Sequence, residues 1–384
     1  MEKKMIWLLT LLLCAAPARA QDLSVETEEQ PSSWIVKTAK KVVRKITSPN
    51  GKLDSAYVFQ MPLLWTAGAE TTLISSTVDM HADVVEWPLS GRPEPAGSYG
   101  MDFNLQRHLY QKVGLLVGFG GLSAGYGVEA GERRKDRNTY FSLGLSAGAY
   151  GVQIQNYVIN DYIEKAGGPF GRSAVSDYPG RLRDFGVDAY YVFNNRTFVY
   201  HAAYKGQKIQ RRSVGSWMLS GRYLQGDLTV DTRDTEFLEI TDRLGRYATQ
   251  QVSLGGGYSF NWVFLHRDPS AGAKVKGLRN LTLNLTALPM ASFYTHVDSY
   301  HLPEGKDPVR TRFDGKLAVT FQAHAALAFC WDRFSVNVQV HRNRFGFQGA
   351  SQTLRSAERG LRYDVDARAL FQDLTGKVQF YVRF

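Results

Sequence analysis

The chain has 384 residues, of which 46 are Lys or Arg and 36 Asp or Glu, giving a formal net charge of +10, and 44% are hydrophobic. That length can bury a large core, yet no stretch after residue 20 offers the roughly 18 uninterrupted apolar residues of a membrane helix, so spanning by helices is excluded. The basic balance suits anionic partners, and with no nucleic-acid motif in the sequence, lipid and lipopolysaccharide phosphates are the nearest candidates for an exported chain.

Export is read from the N-terminus. A basic start, the apolar run Ile6 to Ala16 and the Ala18-Arg-Ala20 site predict a signal peptide over residues 1–20, cleaved before Gln21. Cys14 follows Leu13 where a lipoprotein signal needs a small residue. After cleavage Cys330 is the sole cysteine, which rules out an internal disulfide. Residues 21–60 read as a periplasmic leader with a short amphipathic helix from Ser32 or Ser33 to about Ile46. Ile35, Val42, Val43 and Ile46 lie near one face, Lys37, Lys40, Lys41, Arg44 and Lys45 lie elsewhere, and Pro49-Asn-Gly51 ends it.

Residues 61–384 change character to period-two segments rich in Tyr, Phe, Val and Gly, separated by polar turns. Val113 to Phe119 alternates with Gly114, Leu116 and Gly118, and the phase shift at Gly120-Gly121 reads as a glycine bulge. Phe141 to Ala149 and Phe185 to Phe193 follow, and a tight turn at Asn194-Asn195 leads to a further expected strand through Phe198, Tyr200, Ala202 and Tyr204. Alternation resumes around Trp217, Tyr258, Leu283, Phe321, Val338 and Val365, with long loops expected near 154–181, 226–247, 265–279, 291–312 and 346–359 and short turns at Asp332 and Asp373. In the last ten residues Val378, Phe380, Val382 and Phe384 oppose Lys377, Gln379, Tyr381 and Arg383.

One face of these strands is apolar, with aromatic residues near strand ends (Tyr258, Trp262, Phe264, Phe329, Trp331), as in the girdles of a lipid boundary. The other carries Gln322, His324, His341, Arg362, Asp364, Asp366, Arg368 and Arg383, which are the candidate lumen-lining residues. A long sheet without helices to cover it avoids open edges by closing on itself. The fold expected is therefore all-β, an antiparallel transmembrane β-barrel. About thirteen candidate strands are visible, but a single-chain bacterial barrel takes an even number, so the expectation is about 12, with at least one strand split, missed or outside the barrel.

Chemistry-bearing sets are sparse. Asp79, His81 and Asp83 share a strand face with two oxygens and a nitrogen in reach of a cation, a pattern that a plain polar face also gives. Ser253 with His324 and His341 could supply a nucleophile and base, but the spacing does not require it. Arg133, Arg134, Lys135 and Arg137 form a basic turn suited to lipopolysaccharide phosphates or simply to solvent. Gly118 to Gly125 lacks both the dinucleotide spacing and a Walker lysine. No cofactor, metal or catalytic residue is predicted.

Through Phe185-Gly-Val-Asp-Ala-Tyr-Tyr-Val-Phe-Asn194, Ser213-Val-Gly-Ser216, Asp54-Ser-Ala-Tyr57 and the terminal aromatic strand, the chain resembles an exported family of Bacteroidota catalogued as domain of unknown function 4421. The resemblance implies an outer-membrane-type barrel and brings no site residues. Phe384, with Phe380 and Val382, also resembles the signal read by the barrel assembly machinery, which would make that machinery a partner in biogenesis. The expected role is a non-enzymatic integral outer-membrane protein, a channel, transporter or structural surface component. The alternatives are a barrel enzyme acting on lipid or lipopolysaccharide, and a soluble periplasmic all-β binding protein.

Overall fold

A computed structural model describes residues 53–384 except 64, 90–93, 107–109, 131–137, 161–164, 168–172, 176–179, 206–207, 230–243, 303–308, 316, 350–351 and 357–360. The signal peptide, the leader helix and the Arg133–Arg137 cluster lie outside the described residues.

Twelve antiparallel barrel strands, some of them interrupted, are formed by the described residues. They are β1 (Trp65–Pro88), β2 (Gly97–Gln106 continued by Tyr110–Phe119), β3 (Leu122–Glu129), β4 (Thr139–Ala147), β5 (Tyr150–Ile159) and β6 (Arg181–Val192). The second half comprises β7 (Val214–Thr229), β8 (Leu244–Arg267), β9 (Arg279–His301), β10 (Val309–Asp314 continued by Ala318–Trp331), β11 (Phe334–Gln348 continued by Gln352–Ser356) and β12 (Leu361–Arg383). Each pairs with its sequence neighbours, and β12 pairs with β1 from Leu361↔Pro88 to Arg383↔Thr66, which closes the cylinder.

Orientation follows from which side chains are covered. On β9, Asn280, Thr282, Asn284 and Thr286 are buried while Leu285 is 42% exposed. On β10 and β11, Thr320, Gln322, Ser335, Asn337 and Gln339 are buried, and Val319, Leu327, Val338 and Val340 are exposed. A water-soluble sandwich or barrel would bury the aliphatic set and expose the amides. Here the order is reversed on strand after strand, which is stable only with hydrocarbon outside. The soluble alternative therefore falls.

Gly120-Gly121, which the sequence pattern reads as a bulge, is a two-residue hairpin turn pairing Phe119 with Leu122, and with Gly148-Ala149 and Asp332-Arg333 it makes tight turns at one end, with positive φ at Gly120 (58°), Gly148 (44°) and Asp332 (49°). The barrel's first strand begins and its last strand ends there too, which marks this end as periplasmic by the usual barrel arrangement. Rings gather there: Trp331 lies 5.8 Å from Phe334, Phe334 6.0 Å from Phe380, and Trp65 4.8 Å from Phe119. They form the aromatic belt expected at an interface.

Two expectations need correction. Phe198 to Tyr204 is not a strand: residues Tyr200–Ala203 form a 3-10 turn, and Phe198 and Ala203 are 1% and 0% exposed. The twelve result from this removal together with two other changes: Leu361–Arg383 is one strand and not two, and Tyr150–Ile159 is a strand that the sequence pattern missed. The segment's alternation imitates a strand, but both of its sides are buried, so no face was free to meet lipid. The second correction concerns length. Strand structure runs into stretches expected as loops, through Ile159, Thr229, Arg267, His301 and Gln348, and Asp373 lies inside β12 rather than at a turn. β1 and β8 are 24 residues long, against the roughly 9–11 needed to cross a bilayer, so this wall extends well past the outer interface.

Candidate functional site

The connection between β6 and β7 turns inward instead of making a short hairpin. Within it Lys208–Gln210 pairs antiparallel with Val58–Gln60, so the N-terminal approach and this segment are stitched together at the periplasmic mouth. Met61, Ile209, Val275, Leu278 and Cys330 pack as a dry cluster there, each at most 6% exposed. Arg211 adds an edge contact to Asp268. Partial burial raises the Asp268 carboxyl, but hydrogen bonds and charge from His266 and Arg211 outweigh it and hold it below the usual carboxylate range.

The inner part of the segment is hydrogen-bonded into the wall. Gln210, 0% exposed, donates to the carbonyls of Thr197 (2.7 Å) and Tyr57 (3.1 Å) and accepts from the Val199 amide (3.0 Å) and Asn261 Nδ2 (3.2 Å). Tyr204 donates to Asn284 Oδ1 (2.8 Å), and Asn284 Nδ2 in turn donates to Asn261 Oδ1 (2.8 Å) and Ser259 Oγ (2.9 Å). Asn337 Nδ2 reaches the Tyr204 carbonyl (2.7 Å), the Tyr200 hydroxyl shares a hydrogen bond with His324 Nδ1 (2.9 Å), and Lys205 Nζ donates to Ser123 Oγ (2.7 Å). Buried amides and hydroxyls of this kind are costly unless satisfied. The inward segment thus forms a plug tied to the polar wall by side-chain hydrogen bonds.

Above the plug the lumen is bridged by contacts between non-adjacent strands. Gln322 on β10 approaches Asp188 on β6 at 3.5 Å, and the Arg222 guanidinium on β7 lies 4.4 Å from the Phe345 ring centre on β11. The Tyr247 ring of β8 and the Phe371 ring of β12 are 6.3 Å apart. A chamber of about 180 Å³ is lined by plug residues Tyr200, His201, Tyr204 and Lys205 and by wall residues including Glu70, Tyr140, Asp188, His324, His341 and Lys377.

Of the sequence-predicted lumen set, Gln322 is buried, and His324 and His341 face each other at 4.6 Å between ring centres, both lining the chamber. Arg362, Asp364, Asp366 and Arg368 belong to the distal half of β12, away from the chamber: Arg362 pairs with Asp364 (3.2 Å), and Arg368 with Asp83 of β1 (2.8 Å). Arg383 sits at the periplasmic end, 0% exposed, donating to Ser335 Oγ (2.9 Å). Phe380 and Phe384 are 40% and 59% exposed, and Val382 is half-buried. Asp83 binds His81 (3.0 Å) as well as Arg368, so its carboxylate already serves cationic or donating neighbours, and among the described residues no three-ligand metal cluster forms. Ser253 shares its hydrogen bond with Ser292 (2.7 Å) and not with either histidine. The plug went unread in the sequence, although the Asn280-Thr282-Asn284-Thr286 ladder did signal a face needing amide partners.

A closed, polar-lined, lipid-facing cylinder of this kind defines an outer-membrane-type β-barrel. The chain belongs to the family described as domain of unknown function (DUF4421), whose profile matches residues 95–382. Among solved structures it is similar to the outer membrane protease OmpT from Escherichia coli, at 9% identity, 84% of this chain and 97% of that one, with a TM-score of 0.38. A FadL homologue of Pseudomonas aeruginosa matches at 9% identity, 84% and 90% coverage and a TM-score of 0.20. The toluene transporter TodX of Pseudomonas putida matches at 9% identity, 83% and 90% coverage and a TM-score of 0.19. No curated protein matches.

Proposed function

We propose that this protein is a non-enzymatic outer-membrane barrel that is closed at rest and holds a ligand chamber above a built-in plug. The observation that carries the reading is the plug itself: Gln210 and Tyr204 are anchored to β8, β9 and β11 through buried side-chain hydrogen bonds. A barrel serving as an open diffusion pore has no use for amides and hydroxyls committed across its mouth. The chamber's tyrosines, histidines and charged groups are the kind of lining that orients a polar solute.

Among the described residues, the serine and histidines that would serve the enzyme alternative have other partners. Ser253 faces Ser292, and His324 is engaged by Tyr200. Lipid and lipopolysaccharide surround the apolar band in this reading, and Phe380, Val382 and Phe384 act as the signal for the barrel assembly machinery during insertion.

The protein refolded into planar bilayers is expected to show no steady ion conductance. Sustained openings of the unmodified protein at low voltage would refute a resting plug. A change in lipid profile on deletion of the protein, reversed only by variants retaining His324, would instead bring back the enzyme.

A further inference from the structure

Charges in the chamber do not balance. Glu70 is 3.6 Å from Lys377 and Asp188 3.5 Å from Arg222, and these are the chamber's two carboxylates. One further ammonium group, Lys205, is left over in its lining, and a second, Lys112, stands behind the lining. Lys205, on the plug, has Ser123 Oγ as its hydrogen-bond partner and no carboxylate within salt-bridge distance among the described residues. Lys112, 2% exposed, points over the Tyr140 ring at 3.1 Å from its centre, and its Nζ has no hydrogen-bond acceptor. It lies on the same side as Glu70, which Lys377 already occupies. Asp184 and Asp373 bear on the lumen near Arg222 and do not line the chamber.

Withdrawing a cation from water without a counter-charge is unfavourable, and half-buried Lys205 is such a group, of the kind kept where something else brings the opposite charge. The surroundings restrict what that something is. The chamber is small and lies between plug and wall, with phenol and imidazole groups on several sides and Lys205 and Lys377 both lining the space. Resting on the closed-chamber reading above, we infer that the chamber binds a compact organic oxyanion, a carboxylate with a polar or aromatic body, with Lys205 as its primary counter-charge and Lys377 beside it. A space of about 180 Å³ matches a compact solute better than a whole acyl-chain lipid.

The test is calorimetric titration of the full-length protein in neutral detergent with D-glucuronate, benzoate and inorganic phosphate, against methyl glucoside as the uncharged control. At least one of the two carboxylates should saturate at one site per barrel, with phosphate weaker and methyl glucoside giving no saturation. Lys205→Met should weaken that binding at least ten-fold. In ligand-free buffer the same variant should raise the temperature of heat-dependent gel migration, because it deletes an uncompensated charge; a lysine with a structural task would lower it. Ser123→Asp places a carboxylate beside Lys205 and should cost at least ten-fold in binding with the lysine intact, which keeps the test valid if Lys205→Met fails to fold. The inference is overturned if neither carboxylate saturates, if phosphate binds as tightly as both, or if folded Lys205→Met and Ser123→Asp bind as the unmodified protein does. None of these results bears on conductance, so the closed-barrel reading stands or falls separately.

Discussion

Replacing Gln210 and Asn284 together by leucine should turn a silent barrel into a conducting one. Gln210 uses both ends of its amide, two carbonyls on one side and two donors on the other, and Asn284 joins Tyr204 of the plug to Ser259 and Asn261 of the wall. Leucine keeps the volume and removes every one of these bonds, leaving buried polar partners that each cost about 1–3 kcal/mol when unsatisfied. The summed loss exceeds what the dry cluster around Met61 and Ile209 can hold alone, and the segment should leave its seat while the hydrogen-bonded cylinder persists. Planar-bilayer recording should then show discrete openings absent from the unmodified protein, with heat-dependent gel migration confirming a folded barrel. A folded double variant that stays silent would show that the contacts higher in the lumen close it without the plug.

The second large effect concerns the outer surface. Leu327, Val338 and Val378 are in register on β10, β11 and β12 and are 42%, 45% and 43% exposed. Leu327 stands four residues from the tight turn at Trp331, well inside the apolar band. Leu327→Arg should destabilise the folded barrel in lipid by about 2–4 kcal/mol, the cost of a lipid-facing arginine near the bilayer midplane. Urea titration in lipid vesicles measures it, with Leu327→Ala as the control for lost side-chain volume. Equal stability of the arginine and alanine variants would mean this face does not meet hydrocarbon.

Much of the cylinder could be read from the chain because a strand's two faces answer to different solvents, and residues such as Val378 and Gln379 record that difference one by one. The plug could not, because Phe198 to Tyr204 packs inside the barrel: its partners are Val192, Met218 and Leu288 on one side and Asn284 and His324 on the other, most of them distant in sequence. A pattern of alternating aromatic and small residues therefore looked like one more strand. Strand ends were misjudged for a related reason. Beyond the bilayer the wall needs no apolar band, so the polar residues of Arg246, Asp298 and Arg310 read as loop, although Asp298 takes paired bonds from Arg310 at 3.0 and 2.7 Å on neighbouring strands. In the chamber, His324 and His341 could be placed on polar faces by alternation, whereas the link from Lys205 to Ser123 spans 82 residues and needs the closed barrel to exist.

The most direct measurement of the inside-out arrangement is quenching by brominated lipids of a fluorophore attached to single cysteines in a Cys330→Ser background. Leu327→Cys and Val338→Cys should be quenched strongly by bromines near the bilayer centre, while Asn337→Cys and Asn284→Cys, their inward-facing counterparts, should be left almost unchanged. The account is contradicted if the asparagine positions quench as strongly as the leucine and valine positions, or if none of the four responds to lipid.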